Sequence, residues 1–145
     1  GTDNDERRAQ REATIRMAQS DSFRGVTRHL LKSFLSPAAM QDEDLVARVI
    51  AMAESVGKEN FVLQQQAIMG RRGQADTLRG LQVPALVLCG SLDTLTPPQI
   101  SEEMAQLAPD AELVILPDVG HLSTMEAPDA VTASLNGFLE RLREG

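Results

Sequence analysis

Aromatic side chains are nearly missing from this 145-residue chain, which has four Phe and neither Trp nor Tyr. That scarcity argues against a surface on which bases stack. A net charge of −7 adds to it, because phosphates would be repelled, so no nucleic-acid partner is expected. Basic residues are missing between Arg79 and Arg141, which leaves the C-terminal part clearly acidic and the N-terminal part nearly balanced. The single cysteine, Cys89, excludes an internal disulfide; inside an apolar run it reads as a buried, inert thiol. One unpaired cysteine fits a reducing compartment, so a cytoplasmic location is expected. No apolar run approaches the ~18 residues of a membrane span, so no membrane partner is expected either. The polar start, Gly1 to Glu6, does not resemble a signal peptide. It lacks Met and enters a helix almost at once, which is unlike a natural beginning.

What is present is enough for one domain with a real core. Residues Asp3 to about Gln19 read as a helix, with Asp3 or Asp5 as its cap. Arg7, Arg8, Arg11 and Arg16 alternate there with acids and read as a solvated face. A second helix is expected over Ser22 to Phe34, with Phe23, Val26, Leu30, Leu31 and Phe34 inward. A third starts near Asp42 and stops at Gly57; a fourth runs from about Glu59 to Met69, with Phe61, Val62, Gln65 and Ile68 on its inner face. Asp76 to Leu78 reads as a single helical turn.

After Gly80 the pattern changes. Ala85 to Cys89 is an unbroken apolar run, as expected of a strand buried on both faces. Thr96-Pro97-Pro98-Gln99 opens a helix, with Thr96 as cap and Gln99 at capping-box spacing. Ile100, Met104 and Leu107 are its inward side. Leu113 to Leu116 is a second strand. A last helix over about Pro128 to Arg143 turns Val131, Leu135, Phe138, Leu139 and Leu142 to the core. The connecting helix is too long for a hairpin, so the strands should run parallel. The expected architecture is α/β: a helical, cap-like region over residues 1–80, then a βαβα unit over residues 81–145.

Parallel strands end on one edge of their sheet, where ligands bind. Asp93 follows the first strand and His121 the second, so both should emerge at that edge. A carboxylate on one imidazole nitrogen fixes the tautomer and leaves the other nitrogen as a general base. Taken singly, Asp93 can be a turn residue and His121 a loop histidine. Together, at successive strand ends, they point to a catalytic pair. Gly120 permits a close backbone approach next to His121. Asp118 is the rival acid but reads as a turn former, and His29 as structural.

Two segments carry a family resemblance: L-V-L-C-G-S-L-D-T-L-T-P-P (Leu86 to Pro98) and L-P-D-V-G-H-L-S-T-M-E-A-P-D-A-V (Leu116 to Val131). They resemble the C-terminal part of an α/β-hydrolase fold enzyme, where a G-x-x-D-x-x-x-P turn supplies the triad acid and a G-H turn the base. The wording around His121 is similar to the enol-lactonase and C–C hydrolase branch. The resemblance implies that Asp93 is the acid and His121 the histidine, and that residues before about Leu78 are an inserted cap. It also implies an ester, lactone or related carbonyl as substrate and a reaction through an activated nucleophile. No serine here has glycines at both flanking positions of a G-x-S-x-G elbow. The expectation is therefore half of a catalytic machine, inactive alone. Two alternatives stand beside it: a non-enzymatic binding or oligomerisation module, and a dehalogenase or epoxide hydrolase parent with a carboxylate nucleophile. No cofactor is expected, since no metal cluster or phosphate-cradling loop is visible. Open strand edges predict self-association through paired strands or exchanged helices. Phe23, Phe34, Phe61 and Met69 read as ordinary core, with an apolar pocket as the other reading.

Overall fold

A computed structural model describes residues 4–19 and 28–144. Helix α1 spans Asp5–Gln19, α2 Arg28–Leu31, α3 Glu43–Met69 and α4 Ala75–Arg79. Strand β1 (Ala85–Gly90), helix α5 (Pro98–Leu107) and strand β2 (Ala111–Leu116) follow, and α6 (Ser123–Glu126) and α7 (Pro128–Glu144) close the chain. The strands pair in parallel from Ala85 opposite Ala111 to Gly90 opposite Leu116. The fold is thus a helical region followed by a βαβα unit, a partial α/β-hydrolase fold.

Local chemistry explains most of the boundaries. Asn4 caps α1, its Oδ1 accepting from Arg7 N at 2.9 Å. It takes the role expected of Asp3, which lies outside the described residues, or Asp5, which lies within the first turn. Asp42 caps α3 by accepting from Leu45 N at 2.9 Å. The break expected at Gly57 is a kink: its φ of 74° and ψ of 165° interrupt one continuous element from Glu43 to Met69. Residues 22–27 of the second expected helix, with Phe23 and Val26, lie outside the described residues. Its described part is the short α2, where Leu31 is fully buried but Leu30 is 46% exposed.

Helix α1 packs on α3. Arg11 reaches Gln65 Oε1 at 2.9 Å and Arg8 reaches the Met69 carbonyl at 3.0 Å. Those two arginines therefore bind a neighbouring helix and do more than solvate a face. Leu31, Leu35, Met40, Leu45, Val46 and Val49 form the helical core, and Leu122 and Met125 from the far end of the chain pack against it. The helical region is in this way seated on the loop that follows β2.

The βαβα unit departs from expectation in three places. Thr96 does not cap α5: Pro97 occupies the cap position without a side-chain bond, and the Thr96 hydroxyl turns instead to Asp93. Strand β1 is only half-buried along Ala85 to Leu88; β2 covers one of its edges, and the other is unpaired among the described residues. On α7, Val131 is buried as expected, but Leu135, Leu139 and Leu142 are 45–49% exposed. Met104 on α5 is 38% exposed as well. A two-stranded sheet is too narrow to cover the apolar faces of both helices.

Candidate active site

The turn after β1 is shaped by backbone proximity. Ser91 N donates to Leu116 O and Leu92 N to Val119 O, both at 2.8 Å, which sews the β1 turn to the β2 turn. A Cβ on Gly90 would lie 2.2 Å from Val119 O, so only glycine fits there. Gly120 is equally constrained: a Cβ would meet Glu126 Oε1 at 2.6 Å and Ser36 N at 2.7 Å. In both cases the reason is space. Asp118, the rival acid, is exposed and has a φ of 59°, the backbone of a turn former. Its N–H donates to Ser91 Oγ at 2.8 Å.

This stitching brings the two expected residues together. His121 Nδ1 lies 2.8 Å from Asp93 Oδ2. The Asp93 side chain is 5% exposed and that of His121 33%. Asp93 Oδ1 accepts from Leu95 N and Thr96 N at 2.9 Å, and Oδ2 accepts also from the Thr96 hydroxyl at 2.7 Å. Four N–H and O–H donors therefore fill the acceptor capacity of one carboxylate, and the Cys89 thiol lies 3.9 Å from Oδ2. Burial opposes its charge, but the backbone N–H of Thr96, the His121 ring and the Thr96 hydroxyl outweigh burial and hold Asp93 below the usual carboxylate range. With Nδ1–H committed to Asp93, the ring presents its Nε2 lone pair, which has no partner among the described residues.

Three contributors were not legible from the residue pattern. Thr96 is the main side-chain orienter of Asp93, with Oγ1 also 3.4 Å from His121 Nδ1. The Phe34 carbonyl accepts from His121 N at 2.9 Å and Leu122 N at 3.1 Å, and the Phe34 ring centroid lies 6.2 Å from the imidazole. Glu126 accepts from Gly120 N and Ser36 N, both at 3.1 Å. The G-x-x-D-x-x-T spacing could have signalled Thr96. The other two come from segments that meet only in the fold. His29 is exposed on α2. Cys89 is buried and its thiol is pushed up by burial, consistent with an inert role.

Two hollows flank the unit. One of about 170 Å³ is lined by Phe34, Val49, Met52, Ala53, Val56 and Leu122, all apolar, and adjoins His121 through Phe34 and Leu122. Phe34 thus lines a pocket as well as packing against the core. The other, about 450 Å³, lies at the opposite end of the strands, between Pro84, Asp110 to Glu112 and α7, where Arg141 pairs with Glu112. The larger of the two hollows is therefore not the one beside the Asp93–His121 pair.

Residues 18–128 match the alpha/beta hydrolase fold family, and the chain belongs to it. An esterase from Thermogutta terrifontis superposes with a TM-score of 0.86 at 25% identity, over 97% of this chain and 52% of the esterase. The enol-lactonase from Burkholderia xenovorans LB400 superposes with a TM-score of 0.78 at 26% identity, over 93% of this chain and 50% of that one. A dihydrolipoyllysine-residue acetyltransferase component of an acetoin cleaving system, from Pseudomonas putida, is 30% identical over 118 residues, 80% of this chain and 27% of the relative. The chain spans about half the length of these similar structures and about a quarter of that relative. Among the described residues no helix is long and apolar enough to cross a membrane.

Proposed function

We propose that this chain carries the acid and base of an α/β-hydrolase acting on an ester, lactone or related carbonyl, and that the nucleophile lies on another stretch of polypeptide. The observation that carries the reading is the 2.8 Å Asp93–His121 bond at the C-terminal rim of two parallel strands, with Nε2 left unpartnered. His121 Nε2 takes the proton of the attacking nucleophile, and Asp93 stabilises the resulting imidazolium without accepting its proton. The same nitrogen then protonates the leaving oxygen, and water repeats the cycle on the covalent intermediate. The donors that stabilise the oxyanion belong, like the elbow, to the first part of such enzymes. The likeness to the enol-lactonase structure supports that branch.

The groove beside His121 supports a hydrocarbon arm on the substrate. An open groove of this order with apolar walls has room for a benzene-sized group. The exposed leucines of α7 and the open edges of β1 and β2 support association, either with the missing half or with a second copy.

The decisive measurement is turnover of a p-nitrophenyl ester by this chain, alone and after mixing with a polypeptide bearing the G-x-S-x-G half. The chain alone is inactive and the mixture active, with activity lost in His121→Gln. Turnover by the chain alone that disappears in His121→Ala would show that the nucleophile is already present. A mixture whose activity survives His121→Gln would remove His121 as the base.

A further inference from the structure

We propose that Glu126 is a positioning residue for His121, tying the loop that carries the imidazole to the turn at residues 34–36 of the helical region. The inference rests on His121 being the base. Three successive amides, Gly120, His121 and Leu122, are all committed to that neighbourhood. Those of His121 and Leu122 donate to Phe34 O at 2.9 and 3.1 Å. The Gly120 amide donates to Glu126 Oε2 at 3.1 Å, and the same oxygen accepts from Ser36 N at 3.1 Å. One carboxylate oxygen thus bridges two segments far apart in the chain, and both flank the catalytic pair.

The surroundings argue against a residue kept for packing alone. Ser36 is 3% exposed. The other carboxylate oxygen, Oε1, is buried and has no hydrogen-bond partner among the described residues. A buried acceptor without a donor is costly and needs a reason. The reason here is its twin: two buried N–H groups require an acceptor, and a charged one binds them more strongly than a neutral one. Helix α6 makes the placement possible. Its first turn, with Met125 N and Glu126 N donating to Leu122 O, doubles the chain back so that Glu126 faces Gly120. Gly120 completes the fit, since a Cβ there would collide with Oε1. Any slip of Gly120 moves the next residue, His121, whose 2.8 Å bond to Asp93 tolerates little displacement.

The test is proton and nitrogen NMR of the full 145-residue chain, with circular dichroism to confirm the fold. The readouts are the low-field Nδ1–H signal of His121 and hydrogen exchange at Gly120 and Ser36. In folded Glu126→Ala, the Nδ1–H signal broadens away and the two amides exchange about tenfold faster, the loss of one hydrogen bond each. Glu126→Gln keeps an acceptor oxygen; it retains the Nδ1–H signal and moves the two amide protons upfield. A folded Glu126→Ala with the ring signal and both amides unchanged overturns the proposal, and so does a loss of stability alone. If Glu126→Ala unfolds, Glu126→Gln decides: unshifted Gly120 and Ser36 amides overturn the proposal, and shifted ones support it. None of these readouts needs turnover, so they stand or fall apart from the hydrolase reading.

Discussion

The rim and the flank of the βαβα unit follow opposite rules. At the rim, Asp93 is buried and every acceptor site on it is filled, by donors from its own turn and from the His121 loop. On the flank, α7 sets Leu135, Leu139 and Leu142 in one apolar stripe and leaves each of them nearly half exposed. Polar groups must find partners within bonding distance or lose free energy at once, so the buried Asp93 carboxylate is fully partnered in this chain. An apolar stripe is merely less favourable in water, by about 1 kcal/mol for each half-covered leucine, so a flank can wait for cover. The Asp93 carboxylate is satisfied within the chain, and the α7 flank is exposed apolar surface.

Four substitutions or conditions would break or sharpen that contrast. The largest effect belongs to Gly90→Ala. Its new Cβ would sit 2.2 Å from a backbone oxygen that has no rotamer to escape by. We expect a loss of about 4 kcal/mol or more, or failure to fold, read by urea denaturation. A shift below about 1 kcal/mol would mean that the turn-to-turn stitching is looser than described.

Next is Asp93→Asn, which puts an amide where four donors converge. We expect about 2–3 kcal/mol of destabilisation from the mismatched donors. In the mixture with the complementary half, turnover should fall by about 10³-fold or more, because the imidazole tautomer is no longer imposed. Unchanged turnover would detach Asp93 from the chemistry.

Acid comes third. The folded environment lowers the Asp93 pKa, so its contribution is fully present above the unfolded value of about 3.9 and is lost as pH falls through the lower folded value. The acid limb of the stability–pH curve should therefore be shallower in Asp93→Asn than in the parent chain. Identical limbs would contradict the depressed carboxyl.

The smallest effect on folding, and the most telling for the flank, is Leu139→Lys. Stability of the isolated chain should move by no more than about 0.5 kcal/mol, because the side chain is already 49% exposed. The proposed association, measured by sedimentation, should weaken markedly in this variant relative to the parent chain. A large loss of stability would show α7 to be packed more tightly than its exposure indicates.

Legibility from the residue pattern followed the range of the interactions. The apolar runs marked both strands, although β2 begins at Ala111, two residues before the expected Leu113. Gly57, read as the end of one helix before the next, is where the backbone leaves helical conformation and the two helical stretches of α3 meet at a kink. The order of Asp93 before His121 after parallel strands placed both at one rim. The assignment of Thr96 failed because its hydroxyl had two local uses, and a buried carboxylate at 2.7 Å outcompeted a helix cap whose position went to Pro97. The inward stripe on α7 was read from spacing alone; spacing shows which side of a helix is apolar, but not whether anything covers it. Short α6 was invisible to periodicity at four residues.

Taken by itself, the order of residues determined where the strands lie, that they run parallel, and that an acid and a histidine close them. Those are short-range consequences of apolar runs, glycines and the length of one crossover helix. Only the tertiary structure decided that Thr96 and Glu126 serve this rim, that Phe34 grips the histidine loop through its carbonyl, and that the α7 leucines face solvent. The Glu126–Ser36 and Phe34–His121 contacts join segments separated by tens of residues, and even for the local Thr96–Asp93 bond a linear pattern holds no record of which of two nearby uses a hydroxyl will take.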